Sequence, residues 1–154
     1  MIVSENWSAL QGVRNVRNSE EFRGHITDVI GSLADPARQP QAFLVEQDPN
    51  WTLRTHFHLQ FQFQVVVAGS GTLGRHPLAP YTVHYTTPES GYGPIVSGDE
   101  GLSYFTIREV GGRGAHFLPE SREEMQAGLA KAQVTSSRAA PLPAAGLAAR
   151  RVTR

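Results

Sequence analysis

Cysteine is absent from the chain. That excludes disulfides, thiolate metal centres and a cysteine nucleophile, and leaves any metal to His, Asp, Glu, Gln, backbone oxygen or water. Long apolar runs are lacking too, so no membrane-spanning helix is read. The start, Met1-Ile-Val-Ser-Glu, is too short and too polar for a secretory signal, and the expected setting is cytoplasmic. An excess of charge is also missing, but the balance is uneven. From Lys131 onward there are five basic residues (Lys131, Arg138, Arg150, Arg151, Arg154) and no acid, so that tail is +5 and residues 1–130 carry −5. An acidic body does not point to a nucleic-acid partner. What the chain does have is 15 Gly and 10 Pro in 154 residues, which fits one turn-rich domain better than a helical bundle.

The most informative stretch runs from His56 to Gly74. From His56 to Gln64 it alternates strictly: His56, His58, Gln60, Gln62 and Gln64 on one parity, Phe57, Leu59, Phe61 and Phe63 on the other. Successive side chains of a strand point to opposite faces, so this is read as one strand with a polar and an apolar face. Two histidines at i and i+2 point the same way, about 7 Å apart at the Cα atoms. Both imidazoles can then reach one metal ion or one small ligand. Gly69-Ser70-Gly71 reads as a turn, with Thr72 to Gly74 returning as a hairpin strand.

This spacing resembles the first motif of the cupin superfamily: Gly, five residues, His-x-His, three residues, Glu, six residues, Gly. Asn50, His56, His58, Gln62 and Gly69 occupy those places, with Asn50 in place of the first Gly and Gln62 in place of the Glu. Asn tolerates the left-handed conformations that favour Gly. Gln62 removes a carboxylate from the would-be metal site. The stretch from Thr82 to Pro94 resembles the second motif in degenerate form. Pro88 is in place, the glycine falls one residue late at Gly91, and Pro94 stands where the family has its third metal histidine. His84, on the preceding strand, is the nearby histidine able to replace it.

The resemblance implies a mostly β, cupin-like jelly-roll β-barrel. Around it the sequence places an N-terminal arm and helix (1–40), the barrel (41–118), a short C-terminal helix (119–132) and a flexible tail (133–154). Residues 1–17 read as a loose helical turn or an irregular arm. The first helix starts at Ser19, with acids in its first turn and Phe22, Ile26, Val29, Ile30 and Leu33 as its apolar stripe. Ala42 to Glu46, Tyr81 to Thr86 and Leu102 to Val110 read as strands. Gly98 to Gly101 reads as a turn. Ser121 and Glu124 have capping-box spacing before the C-terminal helix. His25 reads as a surface or helix-flank residue, and His76 and His116 as solvent-facing.

Which face of the His strand points inward decides the function. In one reading the His and Gln residues line a cavity, and Phe57, Leu59, Phe61 and Phe63 are covered by the first helix or a second subunit. Left in water, each would forfeit about 1.5–3 kcal/mol. In the other reading the aromatics fill the core and the polar face is wet, as in an ordinary antiparallel sheet. The motif spacing favours the first and, with it, a homodimer. The candidate site is then His56, His58 and His84 as catalytic groups. Gln60, Gln62, Gln64, Arg54 and Tyr85 are the substrate contacts, and His56, His58, Gln62 and His84 the metal ligands. The cofactor is one divalent ion (Fe, Mn, Ni or Zn) or none. Three functional classes follow: a cupin oxygenase, isomerase or lyase acting on a small metabolite; a metal-free cupin that senses or carries a small molecule; and a dimeric structural protein.

Overall fold

The computed structural model describes residues 14–112 and 114–129. Residues 1–13 and the tail at 133–154 lie outside them. The described elements are ten strands and one helix. The strands are β1 (Asn15–Asn18), β2 (Arg23–Ile30), β3 (Gln41–Gln47), β4 (Thr52–Leu53), β5 (His56–Phe57), β6 (Gln62–Leu73), β7 (His76–Leu78), β8 (Val83–Thr86), β9 (Ile95–Arg108) and β10 (His116–Phe117). The helix α1 is Arg122–Leu129.

Strand β9 is the hub. It pairs with β3 from Gln41↔Arg108 to Gln47↔Leu102, and with β6 from Phe63↔Ile107 to Leu73↔Ile95. All pairings are antiparallel, in an eight-stranded sheet of order β1-β2-β3-β9-β6-β7, with β4 added on β9 and β8 on β6. A second sheet joins β5 to β10. The expected closed barrel is not formed among the described residues: the path ends at β1 and β7, which do not pair with each other.

The expected helix from Ser19 to Leu33 is also absent, because β2 takes its place. Ile26, Thr27, Val29 and Ile30 are β-branched and suit a strand. Phe22 and Ile26 lie an even number apart, so a spacing that suits a helix face suits a strand face as well. Both pack on the core. Gly24 adopts φ 138°, and a Cβ there would lie 1.9 Å from the Glu46 carbonyl oxygen of β3. The Ser19 hydroxyl accepts the amides of Glu21 and Phe22 at 3.2 and 3.1 Å, closing a turn that feeds the strand instead of capping a helix.

Three further expectations change. The His strand is broken in two, β5 and β6, by His58 to Phe61. Gly69-Ser70-Gly71 is no turn: β6 runs through it with register shifts at Val66/Ala68 and Gly69/Gly71, and the reversal comes at Gly74-Arg75. Gly98 to Gly101 likewise lies inside β9. The C-terminal helix stands where it was expected, with Glu123 and Glu124 in its first turn.

One end of the concave face is apolar, built on Phe43, Val45, Leu53, Val66, Leu73, Leu78, Ile95, Leu102 and Tyr104. The other end is polar and equally buried: Gln41, Gln62, Gln64, His84, Thr86, Thr106 and Arg108. No helix of the described residues is long and apolar enough to cross a membrane.

Candidate functional site

The polar parity of the His stretch faces inward. His56, His58, Gln62 and Gln64 are all buried, while Leu59, Phe61 and Phe63 are 42%, 55% and 49% exposed. Phe57 departs from its row: it is fully buried, because β5 pairs with β10 and stacks this ring on His116 at 5.0 Å. His116 is therefore no solvent-facing loop residue. It is half-buried in β10, with Nδ1 2.9 Å from Glu124 of α1. His25 sits on β2, with Nδ1 3.4 Å from Arg14, and His76 is exposed on β7.

Tyr92 organises the centre. It pairs with His56 by reciprocal backbone hydrogen bonds of 3.0 and 2.9 Å, which bring its ring between two histidines. Ring centroids stand 4.4 Å away for His56 and 4.8 Å for His84. Its hydroxyl accepts from the amides of Gln62 at 2.5 Å and Gln64 at 3.5 Å. Register does the rest: Gln64 lies opposite His84 on β8 and opposite Thr106 on β9.

His56 and His58 both line a cavity of about 300 Å³, with their rings 5.2 Å apart. Its other walls are mostly apolar, with Phe22, Ile26, Leu33, Phe43, Val45 and Phe117 among them; Arg108 and Thr106 reach it from β9, and Ser19, Glu21 and Gln64 add polar edges. His56 Nδ1 donates to the Arg54 carbonyl at 2.7 Å, which fixes the tautomer with a free electron pair on Nε2. His58 Nδ1 stands 2.7 Å from the Gly114 carbonyl and 3.1 Å from Arg108 Nη2. Burial, opposed by the Arg54 hydrogen bond and aided by the Arg108 charge, lowers the His56 pKa to about 4. Burial and then the Arg108 charge hold His58 well below its ordinary value. Both imidazoles are neutral near pH 7.

His84 is buried and opens on a smaller neighbouring cavity. Its Nδ1 lies 2.9 Å from Gln64 Oε1, and its Nε2 has no partner among the described residues. Burial lowers its pKa to about 4 as well. Gln64 and Tyr104 line both cavities.

The remaining candidates lie elsewhere. The Arg54 side chain is on the surface, paired with Glu120 at 3.0 Å; what it lends the site is its carbonyl. Tyr85 is on the convex face, 4.7 Å from the Phe63 ring. Gln60 packs against Gly112, away from the cavity lining. The metal set His56, His58, Gln62 and His84 is not assembled. His84 opens on the other cavity, and the Gln62 oxygen is taken by Arg108 Nε at 3.0 Å. A guanidinium in the same pocket repels a dication. No cluster of three or more His, Asp or Glu side chains able to hold a metal is present among the described residues. The residues of this pocket do not fit a resident divalent ion.

Sequence reasoning missed Arg108 and Tyr92. For Arg108 a signal existed: Leu102, Tyr104, Thr106 and Arg108 share one parity of a strand whose first members are apolar. For Tyr92 there was none, since it lies in a Gly/Pro loop without periodicity.

No family sequence model and no curated protein sequence matches the chain. Solved structures do. The polyketide cyclase RemF from Streptomyces resistomycificus is similar with a TM-score of 0.61 and 15% identity, over 80% of this chain and 94% of that one. A cupin-2 domain protein from Rhodospirillum rubrum follows with 0.59 and 14%, over 83% and 88%. A variant of the B. subtilis oxalate decarboxylase gives 0.56 and 14%, over 83% of this chain and 38% of that one. The antiparallel sheet, the first-motif spacing on its concave face and these likenesses together show that the chain has the cupin fold.

Proposed function

We propose that this chain is a cupin-fold protein that binds and transforms a small organic molecule in the 300 Å³ cavity, with His56 and His58 as its proton-handling groups. The observation that carries the reading is the pair of buried imidazoles facing one largely apolar cavity, the arrangement expected of a ligand site. A neutral imidazole accepts a proton from a bound acid or a C–H, and returns it after the bond changes. The apolar walls offer a surface to the body of the ligand. Two of the structural neighbours, by their names, act on small organic compounds: a polyketide cyclase and an oxalate decarboxylase.

A second reading, a carrier or sensor that does no chemistry, is favoured by one detail. An imidazole with a pKa about 4 is a weak base at neutral pH. The two readings share the cavity and differ in what happens to the ligand. Fragment screening by ligand-observed NMR, repeated on an Ile26→Trp variant that fills the cavity from its lining, tests it. Hits must vanish in the variant while its fold persists; hits that survive place binding elsewhere and overturn both readings. A hit recovered chemically altered identifies an enzyme, and one recovered unchanged after prolonged incubation identifies a carrier.

The convex face supports an assembly. Phe61, Phe63, Val67, Tyr81, Val83 and Ile107 are each at least 40% exposed, and Phe63 opposes both Tyr85 and Ile107 on neighbouring strands. A contiguous apolar sheet surface of this kind marks an interaction site. We propose a homodimer through this face.

A further inference from the structure

The cavity holds a buried cation that no acid answers. Arg108 is 3% exposed, yet the ion pairs of the described residues are Arg14–Glu46, Arg54–Glu120 and His116–Glu124, and Arg108 is in none of them. Its surroundings are neutral: Nε donates to Gln62 Oε1 at 3.0 Å, and the Phe43 ring lies 5.2 Å away. His58 Nδ1, 3.1 Å from Nη2, has its proton committed to the Gly114 carbonyl at 2.7 Å and so does not accept from the guanidinium. Its Nη1 has no partner at all among the described residues. Glu21 lines the same cavity without approaching the guanidinium to ion-pair distance. Proteins seldom bury a charge unpaired, because desolvation costs several kcal/mol per ion, on the order of what one well-made ion pair returns. A guanidinium cannot escape by losing its proton. Its planar fork matches an oxyanion in the way a point charge does not.

On the ligand-binding reading given above, we infer that the ligand is an organic anion, a carboxylate or a conjugated enolate or phenolate on an apolar body, whose charged oxygen is anchored by Arg108. Phe22, Ile26, Leu33, Val45 and Phe117 receive the body, so a bare inorganic anion would fill only one corner. Anchoring on Arg108 sets the charged group beside His58, within reach of the imidazole that would take or give its proton.

The test compares two probes of nearly the same shape, 2-naphthoate and 2-naphthamide, by calorimetry on the whole chain. The expected result is naphthoate binding about tenfold or more tighter than naphthamide, with inorganic phosphate a weak competitor. In Arg108→Gln the preference disappears and naphthamide binding remains. In Arg108→Lys part of it returns. Equal affinity for the two probes in the native protein overturns the anion inference and leaves the cavity reading standing. The same holds for a preference that survives in Arg108→Gln. Binding of neither probe at millimolar concentration overturns both. The native comparison decides even if Arg108→Gln does not fold.

Discussion

Arg108 Nε donates to Gln62 Oε1 at 3.0 Å, joining the ends of β9 and β6 beneath the cavity. The residue that stands in place of the family's glutamate is therefore a neutral acceptor for an arginine. It leaves the guanidinium charged and free to meet a ligand. A glutamate there would satisfy the cation internally.

Gln62→Glu is thus expected to switch the pocket off for anions. The new carboxylate would pair with Arg108 at the distance the amide now holds, and naphthoate affinity should fall about tenfold or more while naphthamide affinity is unchanged. Calorimetry with the two probes checks it. Unchanged naphthoate affinity in a folded variant would show that Arg108 does not anchor the charge.

Tyr92→Phe removes the oxygen that accepts from Gln62 and Gln64. Two buried amide donors lose a partner, at a cost of about 1–3 kcal/mol. A drop in the urea midpoint with an unchanged m-value is the expected readout. A stability equal to the native protein's would mean that the hydroxyl holds nothing together.

Stability should fall with acid in a defined window. The folded chain keeps His56 and His84 at pKa values of about 4, against an ordinary 6.5 in the unfolded chain. Below pH 6.5 the unfolded state then binds more protons, so acid favours it. The contribution is complete above that pH and is lost progressively toward pH 4, at up to about 1.4 kcal/mol per pH unit for each histidine. His58, lowered in the same direction, adds to it. Urea midpoints at pH 7.5 and 5.0 measure the effect, and equal midpoints would contradict these neutral buried imidazoles.

Phe63→Glu places a charge at the middle of the convex apolar face, where its neighbours are Tyr85 and Ile107. Phe63 is 49% exposed in the single chain, so the change should cost the fold little, within about 1 kcal/mol. Sedimentation velocity is expected to show a dimer for the native chain and a monomer for the variant. A native chain that sediments as a monomer at micromolar concentration removes the dimer.

The sequence by itself determined the inward turn of His56, His58, Gln62 and Gln64, because a period of two leaves a strand only two faces and the motif spacing chose between them. It also determined the strands at β3 and β8, the second half of β9 from Leu102 onward and the C-terminal helix, whose patterns are local; the first half of β9 was hidden behind a Gly98 to Gly101 stretch that reads as a turn. It misjudged β2, since Phe22 and Ile26 satisfy both periods and the choice was made by pairing with β3, a segment separate in sequence. Which polar residues share a cavity was decided by tertiary structure. His84 and Gln62 have the right parity, but cross-strand register hands His84 to Gln64 and Gln62 to Arg108. That register is set by the pairing of β6 with both β8 and β9, contacts that no single segment encodes.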